Sequence, residues 1–114
     1  MATFSKVKFS ESTSGKMIKV AATATSGTLI HTASQTALDE VWIYAVNSDA
    51  TDRKLTIEFG GTSAPDDLIE FTVKAENGLY LIVPGLILTD GVEIRAFAAT
   101  ANVISIGGYV NRIA

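Results

Sequence analysis

Apolar and polar residues alternate along this chain with a period of two, in short runs separated by turn signals. Residues 4–9 set Phe4, Lys6 and Lys8 against Ser5, Val7 and Phe9, and a polar loop over 10–15 follows. Residues 17–24 alternate again, Ser26-Gly27 turns the chain, and 28–32 form a short run. Residues 54–59 place Leu55, Ile57 and Phe59 on one face and Lys54, Thr56 and Glu58 on the other, the pattern of a half-buried antiparallel strand. Residues 41–46, 68–73, 79–83, 92–98 and 103–113 complete the set. Asn77-Gly78 is a tight-turn signal, because these residues tolerate positive φ, and Asp90-Gly91 opens the next strand. Pro84-Gly85 suits the two central positions of a type II turn. No window holds a helical period for ten residues; the best helical candidate is one turn over 34–40.

Strands at roughly ten-residue spacing predict an all-β fold. The expectation is an antiparallel β-sandwich, jelly-roll-like, of eight or nine short strands. It forms a single domain over residues 1–114, with 1–15 as an N-terminal arm.

Two runs break the alternation. Residues 79–83 are apolar on both faces, and the apolar character continues to Leu88. The stretch is too short for a bilayer span, which takes roughly 20 apolar residues. Residues 41–46 are also apolar in both registers: Val41, Ile43 and Ala45 fit a core, which turns Trp42 and Tyr44 the other way. In a small sandwich, such strands are covered by a second sheet on one side and by another surface on the other. Trp42, Tyr44, Tyr80, Leu81, Val83 and Tyr109 are therefore the candidate interface residues, Trp and Tyr being favoured at interface centres. Gly107-Gly108 permits a bulge or close backbone approach beside Tyr109.

Composition supports association. Hydrophobic residues make up 47% of the chain and charged residues 18%, below the usual quarter. The net charge is −3 with scattered Lys and Arg, which argues against nucleic acid, whose binding needs a concentrated basic face. There is no cysteine, so the core and its partners must hold the fold without disulfides. The first residues lack the apolar run of a signal peptide, which suggests synthesis and folding in a cytosol.

Candidate chemistry is sparse. His31 is the single histidine, with no triad order around it, and a structural role is the expectation. One histidine and no cysteine do not make a zinc site. Asp49 with Asp52, and Asp66 with Asp67, lack the spacing of a calcium loop and read as turn residues. No catalytic residue, metal ligand or cofactor site is expected, and the chain reads as a non-enzyme. A carbohydrate-binding role for Trp42, Tyr44, Tyr80 or Tyr109 is the competing reading.

Five segments resemble small virion proteins of tailed bacteriophages: Val41-Trp-Ile-Tyr44, Leu55-Thr-Ile-Glu-Phe-Gly-Gly61, Pro65-Asp-Asp-Leu-Ile69, Gly78-Leu-Tyr-Leu-Ile-Val-Pro-Gly-Leu86 and Gly108-Tyr-Val-Asn-Arg-Ile113. They span residues 41–113 and are mostly β framework. The resemblance implies a capsid decoration (cement) protein with a β-sandwich or jelly-roll fold. It further implies a homotrimer seated on the major capsid protein at the virion exterior, made in the host cytoplasm. It offers residues 2–15 as an arm that orders on the capsid, with a simple edge strand as the plainer outcome. A carbohydrate- or receptor-binding module of a head fibre or tail tip is the alternative.

Overall fold

The computed structural model describes residues 2–114, and their strands form two antiparallel sheets. In chain order these are β1 (Phe4–Val7), β2 (Ile18–Lys19), β3 (Thr28–Thr32), β4 (Leu38–Asn47), β5 (Arg53–Phe59), β6 (Leu68–Val73), β7 (Tyr80–Leu88), β8 (Glu93–Ala98) and β9 (Ile104–Ile113). The A sheet runs β1-β9-β4-β7, with β2 also pairing β9; the B sheet runs β3-β8-β5-β6. From β2 onward only β5 and β6 are joined within one sheet, and every other connection passes between sheets. This is the order of a jelly-roll sandwich.

The core lies between the sheets. Val41, Ile43 and Ala45 of β4 meet Ile104, Ile106 and Val110 of β9, and Leu55 and Ile57 of β5 meet Ile94 and Ala96 of β8. The alternation in β4 is complete, each buried residue being followed by a half-buried one. Period-two patterning therefore sets which side of β4 faces the core.

Three local expectations are corrected. Pro84-Gly85 makes no turn: β7 runs through it to Leu88. The β4–β7 register jumps from Val41↔Leu86 to Trp42↔Pro84, and Gly85, at φ +85°, is the extra residue of a bulge. A second jump lies between Ile43↔Val83 and Tyr44↔Leu81. β7 is the last strand of its sheet, where a proline needs no ladder partner on its open side. The helical turn over 34–40 is absent. The Ser34 hydroxyl instead accepts from the Thr36 and Ala37 N–H groups, and β4 starts at Leu38.

The strand expected over 17–24 shrinks to Ile18–Lys19. Beyond it the Thr28 hydroxyl takes the Ala21 and Ala22 N–H groups as the chain crosses to the B sheet. The N-terminal segment is tied down as an edge strand: β1 pairs β9 from Phe4↔Ile113 to Val7↔Val110, and Phe9 is buried in the core.

Gly108 is the tightest point of the central ladder. It pairs with Ile43 at φ +141°, and a Cβ there would collide with the Trp42 carbonyl oxygen and crowd Phe9. Gly108→Ala is expected to destabilise the fold by about 3 kcal/mol through overpacking and an unfavourable φ. Urea unfolding followed by circular dichroism measures this; an unchanged midpoint would show that the ladder relaxes freely at this position.

Candidate interaction face

The inward register of the A sheet fixes what points outward. Opposite the core positions, β4 presents Leu38, Glu40, Trp42, Tyr44 and Val46. The ladder sets these against Ile113, Asn111, Tyr109, Gly107 and Ser105 of β9. β1 adds Phe4 beside Ile113 and Lys6 beside Asn111. β7 adds Ile87 beside Glu40, Pro84 beside Trp42 and Leu81 beside Tyr44. One continuous face results, aromatic at its centre and aliphatic at its margins. Phe4 is 72% exposed, and Leu38, Leu81 and Ile87 are exposed as well.

The centre of the face is rigidly built. The Trp42 indole N–H donates to Glu40 Oε1 at 2.8 Å, and the Asn111 amide donates to the same oxygen at 2.9 Å. Trp42 and Tyr109 lie nearly parallel, 14° apart with centroids at 6.2 Å. The Lys6 ammonium sits 4.8 Å from the Tyr109 ring centre, within cation–π range. Gly85 makes room for the indole, since a Cβ there would press on it. Hydrogen bonds from Asn111 and then Trp42 hold the Glu40 carboxyl below its ordinary range. The face therefore carries one fixed anion, Glu40, with the Lys6 ammonium over Tyr109 and exposed Lys19 beside Ser105 at the β2 margin, in an otherwise largely apolar field. Phe4, Ser5, Lys6, Glu40, Asn111 and Ile113 line an open depression of about 410 Å³ at its Phe4 end.

The outer side of the B sheet is different in kind. Lys54 pairs with Glu70 at 3.0 Å, and Arg95 with Glu93 at 3.0 Å. Glu58, on the same side, is buried under the loop before β3, accepting from the Thr25 hydroxyl at 2.8 Å and the Gly27 N–H at 2.7 Å. One sheet is thus finished with charge and a covering loop, while the other is left apolar and open.

Four of the six residues singled out from sequence, Trp42, Tyr44, Leu81 and Tyr109, gather on the A-sheet face. The other two take no part in it. Val83 is fully buried in the core. Tyr80 turns toward the sandwich interior, its ring 5.5 Å from that of Phe71 and its hydroxyl bonded by the Asn77 amide. Phe4, Leu38, Ile87 and Ile113 belong to the face and were not singled out. Alternation carried back from Trp42 would have found Leu38, whereas Phe4, Ile87 and Ile113 join the face through strand pairing.

Behind the face, His31 is locked into a buried clasp between the sheets. Its Nδ1 accepts the Ser10 N–H at 3.0 Å, which places the ring proton on Nε2, and this donates to Asp39 Oδ2 at 2.9 Å. Arg112 grips the same carboxylate through Nε at 2.7 Å and Nη2 at 3.0 Å, and the Ser34 N–H adds a bond of 3.1 Å. His31 is 1% exposed and Asp39 0%. The Ser10 hydroxyl accepts the Thr32 N–H at 2.9 Å. Burial by itself would raise the Asp39 carboxyl, but the bonds from Arg112, His31 and Ser34 and the Arg112 charge outweigh it and hold it below the ordinary range. Asp39 and Arg112 were not anticipated. The signal lay in their register: each is a charged residue on the core side of its strand, and the two are direct cross-strand partners.

Three of the four aspartates singled out in loops bond N–H groups there. Asp49 accepts from Arg53 Nε at 2.7 Å and from the Ala50 N–H at 2.8 Å, Asp52 takes the Ala75 N–H, and Asp67 takes the Ser63 N–H. Among the described residues, no three His, Cys, Asp or Glu side chains come together as a metal site, and every buried side-chain nitrogen and oxygen has a partner.

No protein-family model, curated protein or solved structure matches the chain.

The Asp39 clasp has a signed pH dependence. A carboxyl depressed on folding stabilises the protein above its unfolded value, about 4, and that contribution is lost as pH falls through the lower folded value. Asp39→Asn is expected to cost about 2–3 kcal/mol at pH 7, less than a fully buried pair because Arg112 reaches solvent. The variant should also lose less stability than the wild type between pH 5 and pH 3. Equal acid slopes in urea melts of the two proteins would contradict the clasp's ionic character.

Proposed function

We propose that this chain is a non-enzymatic virion structural protein. In this reading it decorates or cements a tailed-phage capsid, acting as a homotrimer through β-sandwich contacts. The observation that carries the reading is the asymmetry of the two outer faces. Phe4, Leu38, Trp42, Tyr44, Leu81, Ile87, Tyr109 and Ile113 leave the A sheet apolar and uncovered, while the B sheet ends in ion pairs and a loop. A cement protein needs such surface. It must stay folded alone, then hold through shape and apolar area. Each contact can be weak, because a lattice of identical sites and several copies per oligomer multiply it. The resemblance in residues 41–113 to small phage virion proteins supplies the capsid as partner and the exterior of the virion as location.

A second reading rests on the Trp42–Tyr109 platform with Glu40 and Asn111 beside an open depression. Flat aromatic surface next to hydrogen-bonding groups also suits a sugar ring, as in a receptor-binding module of a head fibre or tail tip.

Sedimentation of the purified protein with capsid shells that lack it separates the readings. The cement reading expects saturable co-sedimentation, weakened at least tenfold by Trp42→Asp and unchanged by Lys54→Glu on the opposite sheet. No binding to shells, together with glycan-array signals that vanish in Trp42→Ala, would favour the receptor module instead.

A further inference from the structure

The exposed apolar residues of the A sheet fall on two surfaces that meet at β7. One is the broad face centred on Trp42 and Tyr109. The other is the open edge of β7 itself, flanked by Leu79, 60% exposed, and by Leu86, 47% exposed, with Leu81 and Ile87 at the corner between edge and face. From Leu79 to Thr89 there is no charged residue. Edge strands that stay in water are ordinarily blunted by lysine or other charges. This one is protected against only one kind of contact. Pro84 has no N–H to offer, and the extra residues at Gly85 and Ile82 break the ladder twice, so a second strand cannot extend the sheet along it. Edge-to-edge pairing is thereby disfavoured, while side-chain packing of the edge is left open.

From this we infer that the β7 edge of one copy packs on the outer A-sheet face of the next, so that copies join head-to-tail into a closed ring. The inference rests on the reading of the chain as a self-assembling structural protein and specifies its contact. A face-to-face pairing would cover Trp42 and Tyr109 but leave Leu79 and Leu86 in water. An edge-on-face contact engages both surfaces in one interface, used twice by each copy. Such heterologous contacts form rings when the rotation closes. The dimensions fit. β7, nine residues, is about 30 Å long. The face, set by the ten residues of β4 and four strand widths, is about 33 Å by about 19 Å, or about 600 Å² before side-chain relief. The edge is the narrower surface, about 10 Å deep, so one contact covers about 300 Å² per partner, below the roughly 800 Å² of a standard specific interface, and a closed ring gives each copy two such contacts. Charge is compatible as well: Glu40 and Lys6 lie together on the face, Lys19 stays at its β2 margin away from β7, and the edge brings no charge to be desolvated against them.

A head-to-tail contact has a signature that no symmetric pairing shares. An edge variant, Leu79→Lys with Leu86→Lys, keeps an intact face; a face variant, Tyr109→Glu, keeps an intact edge. Phe4→Glu serves as a second face variant, its side chain lying outside the core. Folding of each is checked by circular dichroism, and masses are read by light scattering after size exclusion. The wild type is expected near three times 12.0 kDa. Each variant alone should be monomeric, and an equimolar mixture should give a pair near twice 12.0 kDa that grows no further. A wild-type monomer, an edge variant that keeps the wild-type mass, or variants that ignore each other would overturn the ring. Capsid binding is scored separately. A monomeric wild type that still binds shells overturns the ring and leaves the virion reading standing, whereas a ring that ignores shells does the reverse.

Discussion

The ladder between β4 and β9 pairs ten residues of each strand without interruption, from Leu38↔Ile113 to Asn47↔Ile104. Because side chains alternate with a period of two, this single register fixes both surfaces of the A sheet together. Inward it aligns Val41 with Val110 and Ala45 with Ile106, closing the core, and it brings Arg112 to Asp39. Outward it aligns Trp42 with Tyr109 and Glu40 with Asn111. A slip of one residue would bury the indole and expose the Asp39 carboxylate. The positive-φ glycine at 108 and the Asp39–Arg112 pair both resist that slip, one by shape and one by charge. The core, the clasp and the interaction face therefore share one determinant.

The two outer faces follow different physical rules. On the B sheet, outward positions are satisfied within the chain, by ion pairs at the rim and by the loop that donates the Gly27 N–H and the Thr25 hydroxyl to Glu58. On the A sheet, Glu40, Asn111 and the Trp42 indole satisfy one another in a small cluster, the Lys6 ammonium lies over Tyr109, Lys19 stays exposed at the β2 margin, and most of the rest is hydrocarbon and aromatic ring. Such an arrangement loses little when water is removed, since the clustered polar atoms already have partners. It is the surface chemistry of a protein that completes its burial on assembly, and it underlies the proposal of a capsid-bound oligomer.

Much of the fold was legible because alternation is a local signal. The runs over 28–32, 68–73 and 54–59 map onto β3, β6 and β5 with at most one residue of difference. The misreadings have a common origin in position within the sheet. Pro84-Gly85 reads as a turn in isolation and is a bulge because β7 has a free side. Val83 reads as a candidate contact residue within an all-apolar run, and the bulges that turn it inward depend on its pairing with β4. Asp39 and Arg112 are 73 residues apart, so nothing local joins them. Trp42, Tyr44, Leu81 and Tyr109 were recoverable because each is a large apolar residue in the register opposite a core row.

Trp42 is the single tryptophan of the chain and sits at the middle of the face, which makes its fluorescence the most direct probe of whether that face is covered in the working state. Emission and acrylamide quenching would be recorded from dilute protein to the assembled form, with and without capsid shells. The predicted result is a blue shift and a fall in quenching as assembly proceeds. Emission and quenching that stay constant while the mass increases would contradict the assignment of the A-sheet face as the contact surface.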